Sequence, residues 1–281
     1  MVRKINTMSM KRYATWLTGM VSVKGEPLAN SMAFYKHLKK SIYSPAGYML
    51  VACFPKSGST FLSKALAEIM GWQYDTFVYK FGRLEQDFFE PKLIDHYNRG
   101  TVIHQHLRAV DGNVILIKDF DIKCIVLTRN IFDTVVSYRD HIYREGLKWP
   151  MGYYGKDFLS LDKITQFDHI ISTLVPWLLG FYASWHEQEV SGNLAPIWVD
   201  YESLIGNTES IIQSIFHFHS LPITPASIQQ GLFRLKEKSA KIRFNKGISG
   251  RGRETLTKQQ INAVRDYTRF YPSINFSRIG L

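Results

Sequence analysis

Cys53-Phe54-Pro55-Lys56-Ser57-Gly58-Ser59-Thr60-Phe61-Leu62 joins an apolar run to an amphipathic one, and its residues are those of an anion-binding turn. Upstream, Tyr48 to Phe54 is continuously apolar and closed by Pro55, which predicts a buried strand over 48–54. Downstream, Leu62, Ala65, Leu66, Ile69 and Met70 recur at helical spacing and predict a helix over 60–71. A strand-to-helix turn gathers free backbone N–H groups at the positive end of a helix dipole, where a phosphate binds readily. Gly58 lets the backbone approach an anion, Ser57, Ser59 and Thr60 can donate hydrogen bonds, and Lys56 carries a full charge.

The ordinary nucleoside-triphosphate loop, G-x-x-x-x-G-K-[ST], puts its lysine after the final glycine and uses its hydroxyl to hold magnesium. Here Lys56 precedes the only glycine, and no glycine opens the loop. The order P-K-S-G-[ST]-T instead resembles the 5′-phosphosulfate loop of the sulfotransferases that use 3′-phosphoadenosine 5′-phosphosulfate (PAPS). The resemblance implies that Lys56, Ser57, Gly58, Ser59, Thr60 and Phe61 contact the donor nucleotide. A bland reading of the same residues is a helix N-terminus with Ser and Thr as caps.

A second segment strengthens the resemblance. Lys123 to Thr128 is a β-branched strand candidate ending at Arg129. Asn130 follows as an N-cap, and Phe132, Val135 and Val136 give the next helix, expected over 131–143, its apolar face. Ser137 then lies about two turns, roughly 10 Å, beyond Arg129. Arg129-Asn130-Ile131-Phe132-Asp133-Thr134-Val135-Val136-Ser137-Tyr138 resembles the family's 3′-phosphate motif, R-N-P-x-D-x-x-x-S-Y, with Ile131 in place of its proline. By that resemblance Arg129 and Ser137 bind the 3′-phosphate.

Near the C-terminus, Ile242 to Gly250 resembles the family's R-K-G-x-x-G segment, which covers the nucleotide. Lys246 and Gly247 match, Asn245 replaces the usual arginine, and the tryptophan expected after the last glycine is absent. Asn245, Lys246 and Gly247 are therefore implied nucleotide contacts. Tyr201, after the strand candidate 195–200, resembles a tyrosine on the adenine side, with Asp200 and Glu202 expected to be exposed. The dimer motif K-x-x-x-T-V-x-x-x-E of animal cytosolic members is not kept: Arg253, Thr257, Lys258 and Asn262 stand at its positions.

Thr101 to Arg108 starts as a strand and ends in two histidines, resembling the family's K-T-H-L-P strand end. On that alignment His106 is the general base and His104 takes the lysine position, while Lys56 neutralises the leaving phosphate and Ser57 steadies the lysine. An imidazole removes a proton near neutral pH without a metal. Two histidines at i and i+2 on a strand also face one side and could chelate zinc. A zinc site wants three or four ligands, and no cysteine cluster or H-E-x-x-H spacing accompanies them, so no metal is expected. His141, His169, His186, His217 and His219 are expected at the surface or in structural roles. Aromatic stretches at Phe77 to Phe89 and Tyr143 to Phe158 are candidate acceptor walls.

At 281 residues and 45% apolar, the chain is sized for one large α/β domain, 1–281, with 1–45 as a helical extension packed on it. Further strands are expected near 101–105 and 123–128, and further helices near 30–41, 166–188, 208–219, 225–237 and 257–269. This alternation implies a central parallel sheet with helices on both faces, and the resemblance makes it the P-loop nucleoside-triphosphate-hydrolase-like sulfotransferase fold. The charge of +11 attracts polyanions such as PAPS and would suit peripheral contact with an acidic membrane surface. Cys53 and Cys124 fall in core strands, which fits a reducing cytoplasm, and no transmembrane segment is apparent. The expected activity is PAPS-dependent sulfuryl transfer to a hydroxyl of a sugar, lipid or small alcohol or phenol, with no metal and no nucleic-acid partner. The rivals are a phosphotransferase of related fold, which would want magnesium and ATP, and a non-catalytic polyanion binder.

Overall fold

In the computed structural model, residues 47–78, 86–96, 99–149, 151–238 and 249–281 are described; the expected helix at 30–41 and the N-terminal extension lie outside them. The chain enters on β1, Tyr48–Cys53, whose six residues are all buried. Gly58 caps α1, Ser59–Met70, and Gly71, also left-handed, ends it. Next come the short edge strand β2, Gln73–Asp75, and the helix α2, Glu90–Asp95, neither of which shows a hydrophobic period long enough to read. The segment continues through β3, Thr101–Gln105, α3, Asp111–Asp119, and β4, Lys123–Thr128. From there α4, Ile131–Glu145, leads to a two-stranded hairpin of β5, Lys148–Trp149, and β6, Gly152–Tyr153.

The 28-residue α5, Lys163–Val190, follows, carrying Pro176 inside it and Asp162 as its N-cap. The last sheet strand is β7, Ile197–Asp200, which starts two residues later than the sequence suggests. Among the described residues five α-helices follow: α6, Tyr201–Gly206; α7, Thr208–Phe218; α8, Pro225–Lys238; α9, Arg251–Thr255; and α10, Lys258–Asp266. A capping box starts α10, with Thr257 and Gln260 each bonding the other's backbone amide.

The sheet order is β2-β3-β1-β4-β7, and every neighbouring pair is parallel. Because β1 runs through the middle, its residues are buried on both faces. Leu50, Ala52 and Phe54 join the core under α4 and α5, while Met49, Val51 and Cys53 join the core under α1, α7 and α8. That two-sided burial is why its sequence is an unbroken apolar run rather than an alternating one. The chain leaves β1 toward β3 on one side and returns on the other side as β4, so the strand order reverses at β1. Ligand sites of open parallel sheets lie beyond the carboxyl ends of the strands at such a reversal.

Candidate active site

Four strand ends meet at this reversal. Phe54 N–H still bonds Leu127 O at 2.9 Å, continuing the pairing of β1 with β4 by one residue. The chain then turns through two left-handed residues, Lys56 at φ 64° and Gly58 at φ 79°. A Cβ at Gly58 would stand 3.1 Å from the Tyr201 ring, so glycine is needed for both backbone and space. The helix α1 starts with no side-chain cap and no acidic residue in its first turn, which leaves its amide end free for an anion. Two of the expected hydroxyl donors are engaged within the protein. Ser57 Oγ donates to Phe54 O at 2.7 Å, steadying the turn rather than the lysine, and Ser59 Oγ meets His104 Nε2 at 2.9 Å. Thr60 is exposed at the mouth and Phe61 is half-buried.

Arg129, at the end of β4, reaches across to this loop. Its Nη1 donates to Lys56 O at 2.8 Å, and its guanidinium carbon lies 4.1 Å over the Tyr201 ring. The side chain is only 6% exposed, and burial lowers its pKa. Loop and arginine thus form one unit, with Tyr201 packed against both. Asn130 caps α4 as expected, its Oδ1 accepting from Phe132 N and Asp133 N at 3.0 and 3.3 Å. Ser137 is buried two turns along the same helix.

The carboxylate of Asp133, in the first turn of α4, accepts the amides of Gly250 and Gly252, each at 2.6 Å. Arg251 adds an ion pair to Asp140 at 3.1 Å. On the other side, Arg234 and Lys238 at the end of α8 hold Glu68 of α1, each at 2.9 Å. The segment between, with Asn245, Lys246 and Gly247, lies outside the described residues, and its flanks are fixed to α1 and α4.

The histidine strand end sits beside the loop through the β1–β3 register, in which Val51 pairs with His104. His106 Nδ1 donates to Cys53 O at 2.8 Å, which leaves the lone pair on Nε2. Its backbone amide donates to Gln86 Oε1, and the following carbonyl, of Leu107, accepts from Trp185 Nε1 at 2.8 Å. Burial lowers the pKa of His106, backed by the nearby Lys56 charge, so the imidazole is neutral. His104 lies between Ser59 Oγ and Tyr74 Oη, the latter at 3.0 Å from its Nδ1, and burial lowers its pKa to about 3. The Lys56 ammonium meets His141 Nδ1 at 3.4 Å. Burial first, then Arg144, lowers the Lys56 pKa to about 8.

Several expectations change here. His141, expected at the surface or in a structural role, is half-buried beside the lysine, and the 85 residues between them hid this contact in the sequence. Phe77, Tyr154 and Phe158 are buried in the core rather than lining an open wall. Trp177 of α5 instead lies edge-on to His106, with centroids 6.3 Å apart, and is stacked on Phe181. Nothing in the local sequence marks it, since it falls within a long helical pattern. Asp200 is half-buried as the N-cap of α6, and Glu202 is half-buried with its pKa raised, chiefly by burial.

An uncapped helix end beside a half-buried lysine, with a neutral imidazole alongside, is equipped to move a group from an anionic donor. Residues 47–272 match the sulfotransferase domain family; the chain belongs to that family and is an enzyme of the sulfotransferase type. Among solved structures it resembles mouse sulfotransferase SULT7A1 complexed with PAP, at 17% identity and a TM-score of 0.59, covering 83% of this chain and 87% of that one. Retinol dehydratase, in a complex with androsterone and inactive cofactor PAP, is similar at 15% identity and a TM-score of 0.52, covering 85% and 86%. A second retinol dehydratase structure, with retinol and PAP, has a TM-score of 0.51 at 15% identity, covering 86% and 87%. At these identities the likeness is one of fold. No curated protein matches the chain by sequence. Among the described residues, no helix is long and apolar enough to cross a membrane.

Proposed function

We propose that this enzyme transfers the sulfuryl group of PAPS to the hydroxyl of an acceptor with an apolar body. The single observation that carries the reading is the loop at 55–58, where Lys56 precedes the uncapped amide end of α1 and its charge acts on His106, which is bonded to Cys53 O at the end of β1. Bound there, PAPS supplies the activated sulfuryl group and departs as 3′-phosphoadenosine 5′-phosphate (PAP).

The chain's own part is positioning and electrostatics. Lys56 and the first-turn amides of α1 stabilise charge growing on the 5′-phosphate side. Arg129 and Ser137 hold the 3′-phosphate, Tyr201 borders the adenine side, and Asn245, Lys246 and Gly247 contribute from the covering segment. His106 Nε2 accepts the acceptor's hydroxyl proton while Nδ1 keeps its bond to Cys53 O, which fixes the tautomer. No group in this scheme calls for a metal. Trp177 supports an apolar acceptor, in line with the androsterone and retinol of the retinol dehydratase complexes.

The test is sulfuryl transfer from labelled PAPS to a panel of sterols, retinoids, phenols and sugars, with PAP calorimetry alongside and ATP as control. We expect PAP to bind without magnesium and His106→Ala to cut turnover by about a hundredfold or more with little change in PAP affinity. Preference for ATP with magnesium, or full turnover by His106→Ala on a working acceptor, would overturn the assignment.

A further inference from the structure

The proposed reaction gives the Cys53 thiol no task, yet the structure sets it against both histidines. Cys53 Sγ, one nitrogen of His104 and one of His106 all lie within 4.8 Å of one another, and Sγ is 3.5 Å from His106 Nδ1. The sequence showed only the His-x-His pair; the third donor comes from the neighbouring strand, 51 residues before His104. A tetrahedral zinc site, with bonds of about 2.0–2.3 Å, sets its donors about 3.3–3.8 Å apart. The closest pair already stands at that spacing, and the widest needs closing by only about 1 Å.

We propose that these three side chains form a binding site for a thiophilic divalent cation such as zinc, and that its occupation switches the enzyme off. In the tautomer that gives Nδ1–H to Tyr74 Oη, His104 Nε2 accepts from Ser59 Oγ, a hydroxyl that a metal would displace from the lone pair and that stands close enough to become a fourth donor. On binding, the Cys53 thiol releases its proton to solvent and the thiolate takes the metal. His106 loses its role by either route. Metal on Nε2 occupies the base directly; metal on Nδ1 breaks the bond to Cys53 O and leaves the ring proton on Nε2. The Lys56 ammonium opposes any cation here, so hard ions such as magnesium gain nothing, and the soft sulfur and imidazole donors select for zinc.

The binding claim stands by itself, while the claim of inhibition rests on the proposed sulfuryl transfer. The experiment therefore has two readouts. Cobalt(II), titrated into the intact protein, should give a near-ultraviolet sulfur-to-cobalt charge-transfer band that saturates at one metal per chain and is displaced by zinc. Cys53→Ala and the near-isosteric Cys53→Ser should abolish the band, with folding checked by circular dichroism. Tyr74→Phe should keep the band but weaken cobalt binding by about tenfold, because only the outer partner of His104 is lost. PAPS turnover is then measured with zinc and again after chelation, each variant scored against its own metal-free rate. Wild type should lose most of its rate to equimolar zinc and regain it with chelator, and Cys53→Ser should be insensitive. Absence of the sulfur–cobalt band, or equal zinc inhibition of Cys53→Ser, would overturn the site. Absence of turnover in every sample would count against sulfuryl transfer and leave the cobalt titration decisive.

Discussion

Lys56 concentrates the conflict within the loop. A lysine at φ 64° is in a region that costs a side-chain-bearing residue roughly 1 kcal/mol, and burial brings its pKa to about 8. Both costs hold a cation at the place proposed for the donor's phosphate. The sign of the pH dependence follows. Below pH 8 the lysine of the free enzyme is charged and ready; above it, an arriving phosphate must draw a proton onto Nζ. PAP affinity is therefore expected to fall by up to about tenfold per pH unit above 8, with proton uptake seen by calorimetry in buffers of different ionisation enthalpy. Lys56→Ala should bind more weakly and lose that uptake. His141, although it touches the lysine, is neutral with a pKa lowered to about 3, first by burial and then by Lys56, and adds no charge of its own.

At the scale of elements, the grip of α4 on α9 is open to a direct test. A Cβ at Gly252 would stand 2.3 Å from the Phe132 carbonyl carbon and 2.5 Å from Asp133 N, backbone atoms that cannot step aside. Gly252→Ala is expected to cost about 1–3 kcal/mol of stability, seen as a lower Tm, and to weaken PAP binding by pulling the amides of 250 and 252 off Asp133. Gly112→Ala, where nothing lies within 4 Å of the new carbon, is the control and should be neutral. The same elements show what could be read from sequence. Strands β1 and β4 and helices α1 and α4 carry contiguous signals, and with them came the loop, Arg129, the Asn130 cap and the parallel sheet. Hidden were contacts made between segments distant in sequence, namely Cys53 beside His104 and His106 through the strand register, and Lys56 beside His141 through the packing of α4 on the loop. Trp177 escaped because one residue of a long amphipathic helix has no local mark, and Phe77 and Phe158 misled because core and pocket aromatics share a composition.

Across the whole molecule, the charge of +11 exceeds what a single nucleotide needs, so long-range attraction should add to the local contacts. Raising salt from about 0.02 M to 0.5 M is expected to weaken PAP binding by about tenfold or more and to slow association, measured by stopped-flow fluorescence. ATP binding, if present, should show the same slope without the same affinity, which separates general attraction from recognition. The paired moorings on Glu68 and Asp133 have a further meaning for how this enzyme holds together. They tie the end of α8 to α1 and the start of α9 to α4, the two helices whose first turns border the proposed phosphate site. Losing the carboxylate of Glu68 would free the end of α8 from α1, and losing that of Asp133 would free the start of α9 from α4, so each of these two acids carries a join between elements distant in sequence.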